Sequence, residues 1–350
     1  AAAAGIIAGS AEKELEVIAE VSADKQAAIR DYLQTVPISI EHIEQGHVFD
    51  IIVTERCGDA WAKVRIADFH TNICLIEKDG KVLYEKPLAD EAAQESSRAD
   101  RSLLNMKDIW EFAETADLRD VADLLERQIR YNNAIAEEGL LGDYGANIGR
   151  VLLSTYGNDV SNRAKAKAAA GSDARMNGCE LPVIINSGSG NQGITCSVPL
   201  IEYAKELHSG KEKLYRALII SNLVAIHEKT GIGTLSAYCG AVSAAAGAGA
   251  AITYLYGGSV EDISTTISNT LANVAGIVCD GAKASCAAKI ATSVDAAILA
   301  HSMTMRHAAF HPGQGIVLDT IEQTIEGVAK IARDGMQQTD TEILGLMVGC

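Results

Sequence analysis

The stretch TGIGTLSAYCGAVSAAAGAGAAITYLYGGSV, residues Thr230–Val260, carries no charged side chain and decides how the chain folds. It is long enough for a membrane span, but alanine, glycine, serine and threonine dominate it, so transfer into lipid would gain little free energy. Small residues instead let buried helices approach one another closely. We therefore predict a central core helix here in preference to a transmembrane helix.

The whole chain has 350 residues, of which 48% are hydrophobic, enough for a substantial core and for two domains of ordinary size. Its formal net charge of −16 repels nucleic-acid phosphates and anionic lipids, so we expect neither nucleic acid nor membrane as a partner. Eight cysteines without a secretion signal are typical of a reducing compartment. We expect a cytoplasmic globular protein that binds a small molecule, with a homo-oligomer as its expected assembly.

The first part of the chain alternates between strand and helix patterns. Asp24 is the expected N-cap of a helix, and the Asp79-Gly80 pair is typical of a β-hairpin turn. Strands are predicted at Glu14–Val21, Pro37–Ile43, Phe49–Thr54, Ala62–Ala67, Cys74–Glu77 and Val82–Tyr84.

A polar segment, Asp90–Arg101, separates this region from a remainder in which helix periodicity takes over. We therefore predict an α+β fold, with a small N-terminal α+β domain (residues 1–92) followed by a larger, mostly α-helical domain (residues 93–350). The chain opens without methionine on Ala1–Gly9, which resembles the middle of a helix. We expect a leading segment to be missing.

Three cysteines lie around the predicted core helix. Cys239 directly precedes it, while Cys279 and Cys286 lie on either side of Gly281. If Cys279 ends one helix and Cys286 begins the next, the glycine turn can aim both sulfurs at one point, and a helix N-terminus favours the thiolate that binds metal. Three thiolates suit an iron–sulfur cluster or zinc with an open position. Spacing alone favours the alternative that these cysteines pack in the core.

A glycine-rich loop follows a strand-like run in Leu181–Gly193, and GSGNQG within it matches G-x-G-x-x-G literally. No acidic residue ends a second strand about 20 residues later, where a dinucleotide ribose needs one, so we do not expect NAD. The loop offers backbone N–H groups and the side chains of Ser187, Ser189 and Asn191 to a carboxylate. A tight turn without a ligand is the alternative.

Two other polar sites are weaker candidates. His70, Thr71 and Asn72 stand in a row between two predicted strands, as a binding turn or as an ordinary loop. Lys283 has the residue type of a Schiff-base lysine, but no phosphate-binding glycine loop lies near it, so we do not expect pyridoxal phosphate. Lys283 is retained as a source of polar support.

Three histidines, His301, His307 and His311, resemble a metal-binding set only at first sight. Pro312 follows at once and no nearby carboxylate completes the set. We expect ordinary surface or core histidines.

Five motifs, in order, resemble the L-cysteine desulfidase family, which is related to the iron–sulfur L-serine dehydratase alpha chain. The motifs are Ala134–Leu140 (AIAEEGL), Ser172–Met176 (SDARM), Asn186–Gly193 (NSGSGNQG), Leu235–Gly240 (LSAYCG) and Cys279–Cys286 (CDGAKASC). The likeness extends along nearly the whole chain. It favours a cluster site over core packing for the three cysteines.

The resemblance implies an oxygen-sensitive [4Fe–4S] cluster held by Cys239, Cys279 and Cys286, with one iron free to meet the substrate. It implies a lyase that eliminates the β-substituent of L-cysteine to give sulfide, pyruvate and ammonia. L-Serine dehydration by the same mechanism is one alternative, and an inactive member that binds a small amino acid or a partner is another. The implied substrate-binding residues are Ser187, Ser189 and Asn191, with His70, Thr71 and Asn72 as a second clamp.

Two features depart from that family. Its members carry a Cys-Thr-Glu-Pro motif ahead of the point where this chain begins, and the cysteine of that motif is thought to act as the base. This sequence has no such motif, so the catalytic residue is expected upstream. In addition, the chain ends in Cys350, which we expect as a further, resting-state cluster ligand, with a frayed tail as the alternative.

Overall fold

The computed structural model describes residues 2–17, 21–43, 46–47, 49–68, 70–88, 99–233 and 235–349. The chain forms two compact units, one of residues 1–100 with 344–350 and the other of residues 101–343. The fold is α+β, as predicted, with a small antiparallel sheet followed by many helices. The predicted domain boundary after residue 92 falls in 89–98, outside the described residues.

The sheet has the order β1-β2-β3-β4, and all neighbouring strands are antiparallel. The strands are β1 (Asp50–Cys57), β2 (Ala60–Ala67), β3 (Ile73–Lys78) and β4 (Lys81–Glu85). The helices are α1 (Ala2–Ala8), α2 (Ala23–Thr35), α3 (Met106–Thr115), α4 (Ala122–Leu141), α5 (Ile148–Tyr156), α6 (Val160–Met176), α7 (Gly190–Glu206), α8 (Lys211–Ile232), α9 (Gly240–Leu255), α10 (Val260–Val274), α11 (Cys286–Thr304), α12 (Ile321–Lys330) and α13 (Gln337–Val348).

Hairpin turns and one ion pair organise the sheet. Asp79 and Gly80 have φ angles of 48° and 79°, which is the left-handed pair that a two-residue hairpin turn needs. The predicted hairpin between β3 and β4 is therefore confirmed. Arg65 on β2 binds Asp50 on β1 through Nε to Oδ1 at 2.9 Å and Nη2 to Oδ2 at 2.6 Å. This paired contact lowers the pKa of Asp50 and ties the two strands together.

Two predicted strands of the first unit are wrong. Within Glu14–Val21, the chain forms a 3-10 helix at Ala11–Glu16, and residues 18–20 lie outside the described residues. The Ser10 N–H donates to the Val17 carbonyl at 3.1 Å, which closes this segment locally. Pro37–Ile43 is irregular, because proline has no N–H to donate and no described strand pairs with it.

The N-cap of α2 also differs from the prediction. Ser22, not Asp24, caps the helix, since its hydroxyl accepts the Lys25 N–H at 3.5 Å. Asp24 lies in the first turn instead, where a carboxylate interacts favourably with the positive end of the helix dipole.

The uncharged stretch forms the core of the second unit, as predicted. Helix α9 is buried along its whole length from Ala241 to Leu255. Gly247 lets α8 approach closely, since an added Cβ would lie 2.4 Å from the Ser221 carbonyl oxygen. Across the described ranges, no helix combines the length and apolar character that a bilayer crossing requires.

Helices α7 and α9 run parallel. The Cys196 thiol lies 3.9 Å from the Ala244 carbonyl oxygen, and these residues are 48 positions apart. One turn earlier in both helices, Gln192 lies against Gly240, where an added Cβ would come within 2.6 Å of the Gln192 amide. Because the offset is the same in both contacts, the N-termini of α7 and α9 lie level with each other.

Helices α9 and α11 also run parallel. Gly249 packs on Ala297, with an added Cβ 3.0 Å from the Ala297 carbonyl oxygen. One turn later, Thr253 Oγ1 lies 3.0 Å from His301 Nδ1, again across 48 positions. The N-termini of α7, α9 and α11 therefore lie at the same end of the helical unit.

A buried hydroxyl network surrounds His301, which is only 6% exposed. Thr253 contacts both the His301 ring and the Thr266 hydroxyl, and Thr266 donates to Thr304 at 3.0 Å. Burial lowers the pKa of His301 from 6.5 to about 4, and nearby Arg306 adds to the effect. His301 is thus a neutral core histidine.

Acidification should weaken the fold through His301. Because the folded pKa lies below the unfolded one, the stabilisation is complete above pH 6.5 and is lost as the pH falls toward 4. We expect the residue to remove about 2 kcal/mol from the free energy of unfolding between pH 7.5 and pH 5. Urea unfolding at both pH values should show a smaller pH-dependent loss for His301→Gln than for the wild type. An identical loss in both proteins would contradict the prediction.

Candidate functional site

Two of the predicted ligand cysteines lie on one side of a short antiparallel bridge. Tyr238 pairs with Val278, and the Cys279 N–H donates to the Ala237 carbonyl at 2.6 Å. Successive side chains of an extended backbone point to opposite faces, so Cys239 and Cys279 lie on the same face of the bridge. As diagonal neighbours, their Cα atoms are expected about 7–8 Å apart. The bridge brings together two thiols that are far apart in sequence.

The third cysteine, Cys286, begins α11, as predicted. Gly281 makes the turn before it with a left-handed φ of 84°, and the Cys286 thiol lies 3.6 Å from the Gly281 carbonyl oxygen. The prediction that Cys279 ends a helix is wrong. Helix α10 ends at Val274, and the chain then extends to form the bridge.

Helix N-termini bring these cysteines to one end of the unit. Cys239 is the N-cap of α9 and Cys286 is the first residue of α11, whose N-terminus lies level with that of α9. Neither helix has a side-chain cap, and the Ala241 N–H in the first turn of α9 hydrogen-bonds to the Cys239 sulfur. Burial nevertheless raises the pKa of the Cys239 thiol to about 11, although the hydrogen bond from the Ala241 N–H lowers that pKa in part. A metal would therefore have to displace a proton there.

Two lysines accompany the cysteines. Lys229 on α8 is 7% exposed and forms no ion pair within the described chain. Burial lowers the pKa of Lys229, while the charges of Cys279 and Cys239 oppose that shift. Lys289 is paired with Asp280 and lowers the pKa of Cys239. A buried cation without a partner is costly, so this end of the unit is suited to a negatively charged group.

Arg175, in the last turn of α6, joins the cysteines to the glycine-rich loop. An added Cβ at Gly190, the first residue of α7, would lie 2.3 Å from Arg175 Nε. Arg175 Nη1 also donates to Asn191 Oδ1 at 3.4 Å. Burial lowers the pKa of Arg175 and the charge of Cys286 opposes it, so the guanidinium lies near both features.

The glycine-rich loop is a tight turn. Ser187 and Gly188 have φ angles of 46° and 79°, and the N–H groups of Asn186 and Ser189 donate to each other's carbonyls at 3.1 and 2.9 Å. The strand-like run before it does not form a strand, because the described residues 181–189 contain only the isolated bridge between Asn186 and Ser189. Gly193 is required by packing, since an added Cβ would lie 1.9 Å from the Ile184 carbonyl oxygen.

The polar side chains of the loop are partly occupied by structural contacts. Ser187 Oγ donates to Asn186 Oδ1 at 2.9 Å, and Ser189 caps α7 by accepting the Gln192 N–H at 3.5 Å. Asn191 is buried beside Arg175. The Gln192 Oε1 atom is buried and has no hydrogen-bond partner among the described residues. The sequence analysis assigned no role to Arg175, Gln192 or Lys229. The only feature of the sequence that could have indicated them is a polar side chain within a helix of otherwise small or apolar residues.

The second predicted clamp belongs to the first unit. His70 is exposed and contacts the Phe49 ring, with centroids 4.6 Å apart. Thr71 is exposed. Asn72 donates to the Ala67 carbonyl and accepts from Lys86 Nζ, both at 2.9 Å. Asn72 therefore has a local structural role, and a substrate-binding role for these three residues stays a prediction.

The remaining candidates are dispersed. Lys283 is exposed in the turn before α11, and His307 and His311 are exposed, away from the buried His301. Cys350 lies outside the described residues. Within the part of the chain that the structure describes, no group of three or more His, Cys, Asp or Glu side chains could hold a single metal ion.

The sequence matches a family model described as serine dehydratase alpha chain over residues 12–345. A UPF0597 protein of Desulfitobacterium hafniense (strain Y51) is 54% identical over 348 residues, which cover 99% of this chain and 80% of the relative. A UPF0597 protein of Lachnoclostridium phytofermentans is 53% identical over 348 residues, covering 99% and 83%. One from Treponema denticola is 44% identical over 349 residues, covering 98% and 81%.

Proposed function

This chain belongs to the serine dehydratase alpha chain family, and from that premise we propose that it is an iron–sulfur-dependent lyase that eliminates the β-substituent of a small amino acid. The observation that carries the proposal is the position of Cys239 and Cys286 at the level N-termini of α9 and α11, with Cys279 next to Cys239 across the Tyr238–Val278 bridge. An unpaired buried cation, Lys229, accompanies them.

The donor chemistry of this end of the unit fits the [4Fe–4S] cluster that the family implies. Cys239, Cys279 and Cys286 would hold it, since thiolates are the ordinary ligands of such clusters. Lys229 and the uncapped helix N-termini would offset its negative charge. When bound, the cluster would supply a Lewis-acidic iron for the departing β-substituent.

The residues of this chain would bind and orient the amino acid. The N-terminus of α7 presents backbone N–H groups, and Ser187, Ser189 and Asn191 lie beside it, so the substrate carboxylate would lie there. The burial of α9 from its first turn would keep bulk water from the reacting atoms.

L-Cysteine is the proposed substrate. Elimination of sulfide would leave an enamine, and hydrolysis of its imine tautomer by one water molecule would give pyruvate and ammonia. L-Serine is the second candidate, favoured by the description of the matching family model. The two substrates differ only in the leaving atom. We further propose a cytoplasmic location, because an oxygen-sensitive cluster requires a reducing compartment.

Anaerobic reconstitution with ferrous iron and sulfide tests the proposal. The wild type should bind about four iron atoms per chain and develop cluster absorption. Cys239→Ser, Cys279→Ser and Cys286→Ser should each lose most of that iron. Pyruvate and sulfide release should then give kcat/KM for L-cysteine and for L-serine.

Cys57→Ser is the matched control, because Cys57 is exposed on β1 of the first unit. It should bind as much iron as the wild type. Folded wild-type protein that binds no iron would overturn the cluster proposal. A loaded cluster without pyruvate from either substrate would instead indicate an inactive amino-acid-binding member.

A further inference from the structure

Arg175 occupies a distinctive position in the second unit. It belongs to the last turn of α6, lies against Gly190 at the first residue of α7 and donates from Nη1 to Asn191 at 3.4 Å. The contacts between α6 and α11 extend this picture. Lys165 Nζ binds Asp295 Oδ1 at 2.7 Å, and one turn later on α6 Ala169 packs with Ala291 and Ala287, which lie earlier on α11. The two helices therefore run antiparallel, and the last turn of α6 lies near the first residue of α11.

The charge of Arg175 has no anionic partner within the described ranges. Among the described residues, its hydrogen-bond acceptors are the neutral Asn191 amide and the Met176 sulfur at 4.0 Å. Two other cations of this unit differ, because the partly buried Arg163 and the buried Lys167 both bind the Glu202 carboxylate, at 2.8 and 2.9 Å. A guanidinium stays charged at any physiological pH, so Arg175 cannot escape the cost of lacking an anionic partner by losing a proton.

The surroundings favour a small planar anion. Carbonyl groups at the end of α6 compensate part of the charge, but the guanidinium fork is best matched by a carboxylate. The adjacent α7 N-terminus adds N–H groups that also favour a negative ligand. The buried Gln192 Oε1, which has no hydrogen-bond partner among the described residues, belongs to the first turn of α7 and offers an acceptor that a ligand ammonium group could use.

We infer that Arg175 binds the α-carboxylate of the amino-acid substrate beside Asn191, at the N-terminus of α7. The inference rests on the proposed function for the class of substrate. It assigns the main carboxylate contact to a charged side chain, with the serine hydroxyls of the tight turn in a supporting role. Arg175 would therefore set the requirement for a free carboxylate.

Binding of a substrate analogue that cannot be eliminated tests this role. L-Alanine has no leaving group, and L-alaninamide lacks the carboxylate charge. Calorimetry should be performed with iron-free and iron-loaded protein, using wild type, Arg175→Gln, Arg175→Lys and the control Arg150→Gln. Arg150 is a matched control, since it pairs with Asp143 on a more exposed surface.

The wild type should prefer L-alanine to L-alaninamide, and Arg175→Gln should weaken L-alanine binding about 10- to 100-fold while leaving L-alaninamide unchanged. Arg175→Lys should retain part of the affinity, and Arg150→Gln all of it. Circular dichroism and iron content should match the wild type. A wild type without preference for the carboxylate, or unchanged L-alanine affinity in folded Arg175→Gln, would overturn the inference.

The two proposals can fail separately. Arginine-dependent L-alanine binding in a protein that never eliminates would sustain the inference and defeat the lyase. Elimination activity together with L-alanine binding that does not depend on Arg175 would support the lyase and defeat the inference. Loss of iron together with L-alanine affinity in Arg175→Gln would assign Arg175 to the cluster and overturn its role as the carboxylate ligand.

Discussion

Replacing Gly139 with alanine is expected to lower the free energy of unfolding of the second unit by about 3 kcal/mol or more. Gly139 lies where α4 crosses α6, and an added Cβ would lie 1.9 Å from the Ala170 carbonyl oxygen. Backbone atoms cannot move aside as a flexible side chain can, so the helices must separate. Urea unfolding followed by circular dichroism measures the loss.

Gly327→Ala is the control for this substitution. Gly327 lies inside α12, where an added Cβ would make an ordinary contact of 3.4 Å with Leu318. Alanine should therefore stabilise that helix by about 0.5–1 kcal/mol. Equal effects of Gly139→Ala and Gly327→Ala would show that the close crossing is not required.

Glu202→Gln is expected to destabilise the second unit by about 3 kcal/mol. The Glu202 side chain is 4% exposed and accepts from Arg163 Nε at 2.8 Å, Lys167 Nζ at 2.9 Å and Lys205 Nζ at 3.3 Å. Contacts with Lys167 and Arg163 outweigh burial and lower the pKa of Glu202. Without the carboxylate charge, these partly buried cations lose their shared partner. Urea unfolding at pH 7.5 tests the prediction.

Glu206 supplies the comparison, because Arg163 is its one donor among the described residues and its side chain is 50% exposed. Glu206→Gln should cost less than about 1 kcal/mol, as exposed ion pairs generally do. The prediction fails if the two glutamate variants have the same stability.

Part of the fold follows from local sequence signals. The Asp79-Gly80 pair is compatible with few structures other than a hairpin turn, and the small-residue composition of α9 with few other than a buried helix. Both features were predicted correctly. Glu14–Val21 and Pro37–Ile43 alternate like strands, but a strand also needs a partner whose position is not encoded locally. Long-range pairing therefore limited the prediction of the first unit.

The candidate site was predictable only in part. The start of α11 at Cys286 and the turn at Gly281 follow from glycine and helix signals. The bridge between Tyr238 and Val278 does not, because it joins segments separated by two whole helices. Arg175 lies within the Ser172–Met176 motif, but its place beside Asn191 depends on how α6 packs on α7 and cannot be read from the motif.

The common level of the α7, α9 and α11 N-termini has a consequence for acid–base behaviour. The attraction that these helix ends exert on anions comes from peptide groups, which have no proton to gain or lose near neutral pH. Across the range in which the helices remain folded, that part of the local potential is constant. Any pH dependence of ligand uptake must then originate in the thiols, the lysines or the ligand itself, and the backbone contribution acts as a fixed background.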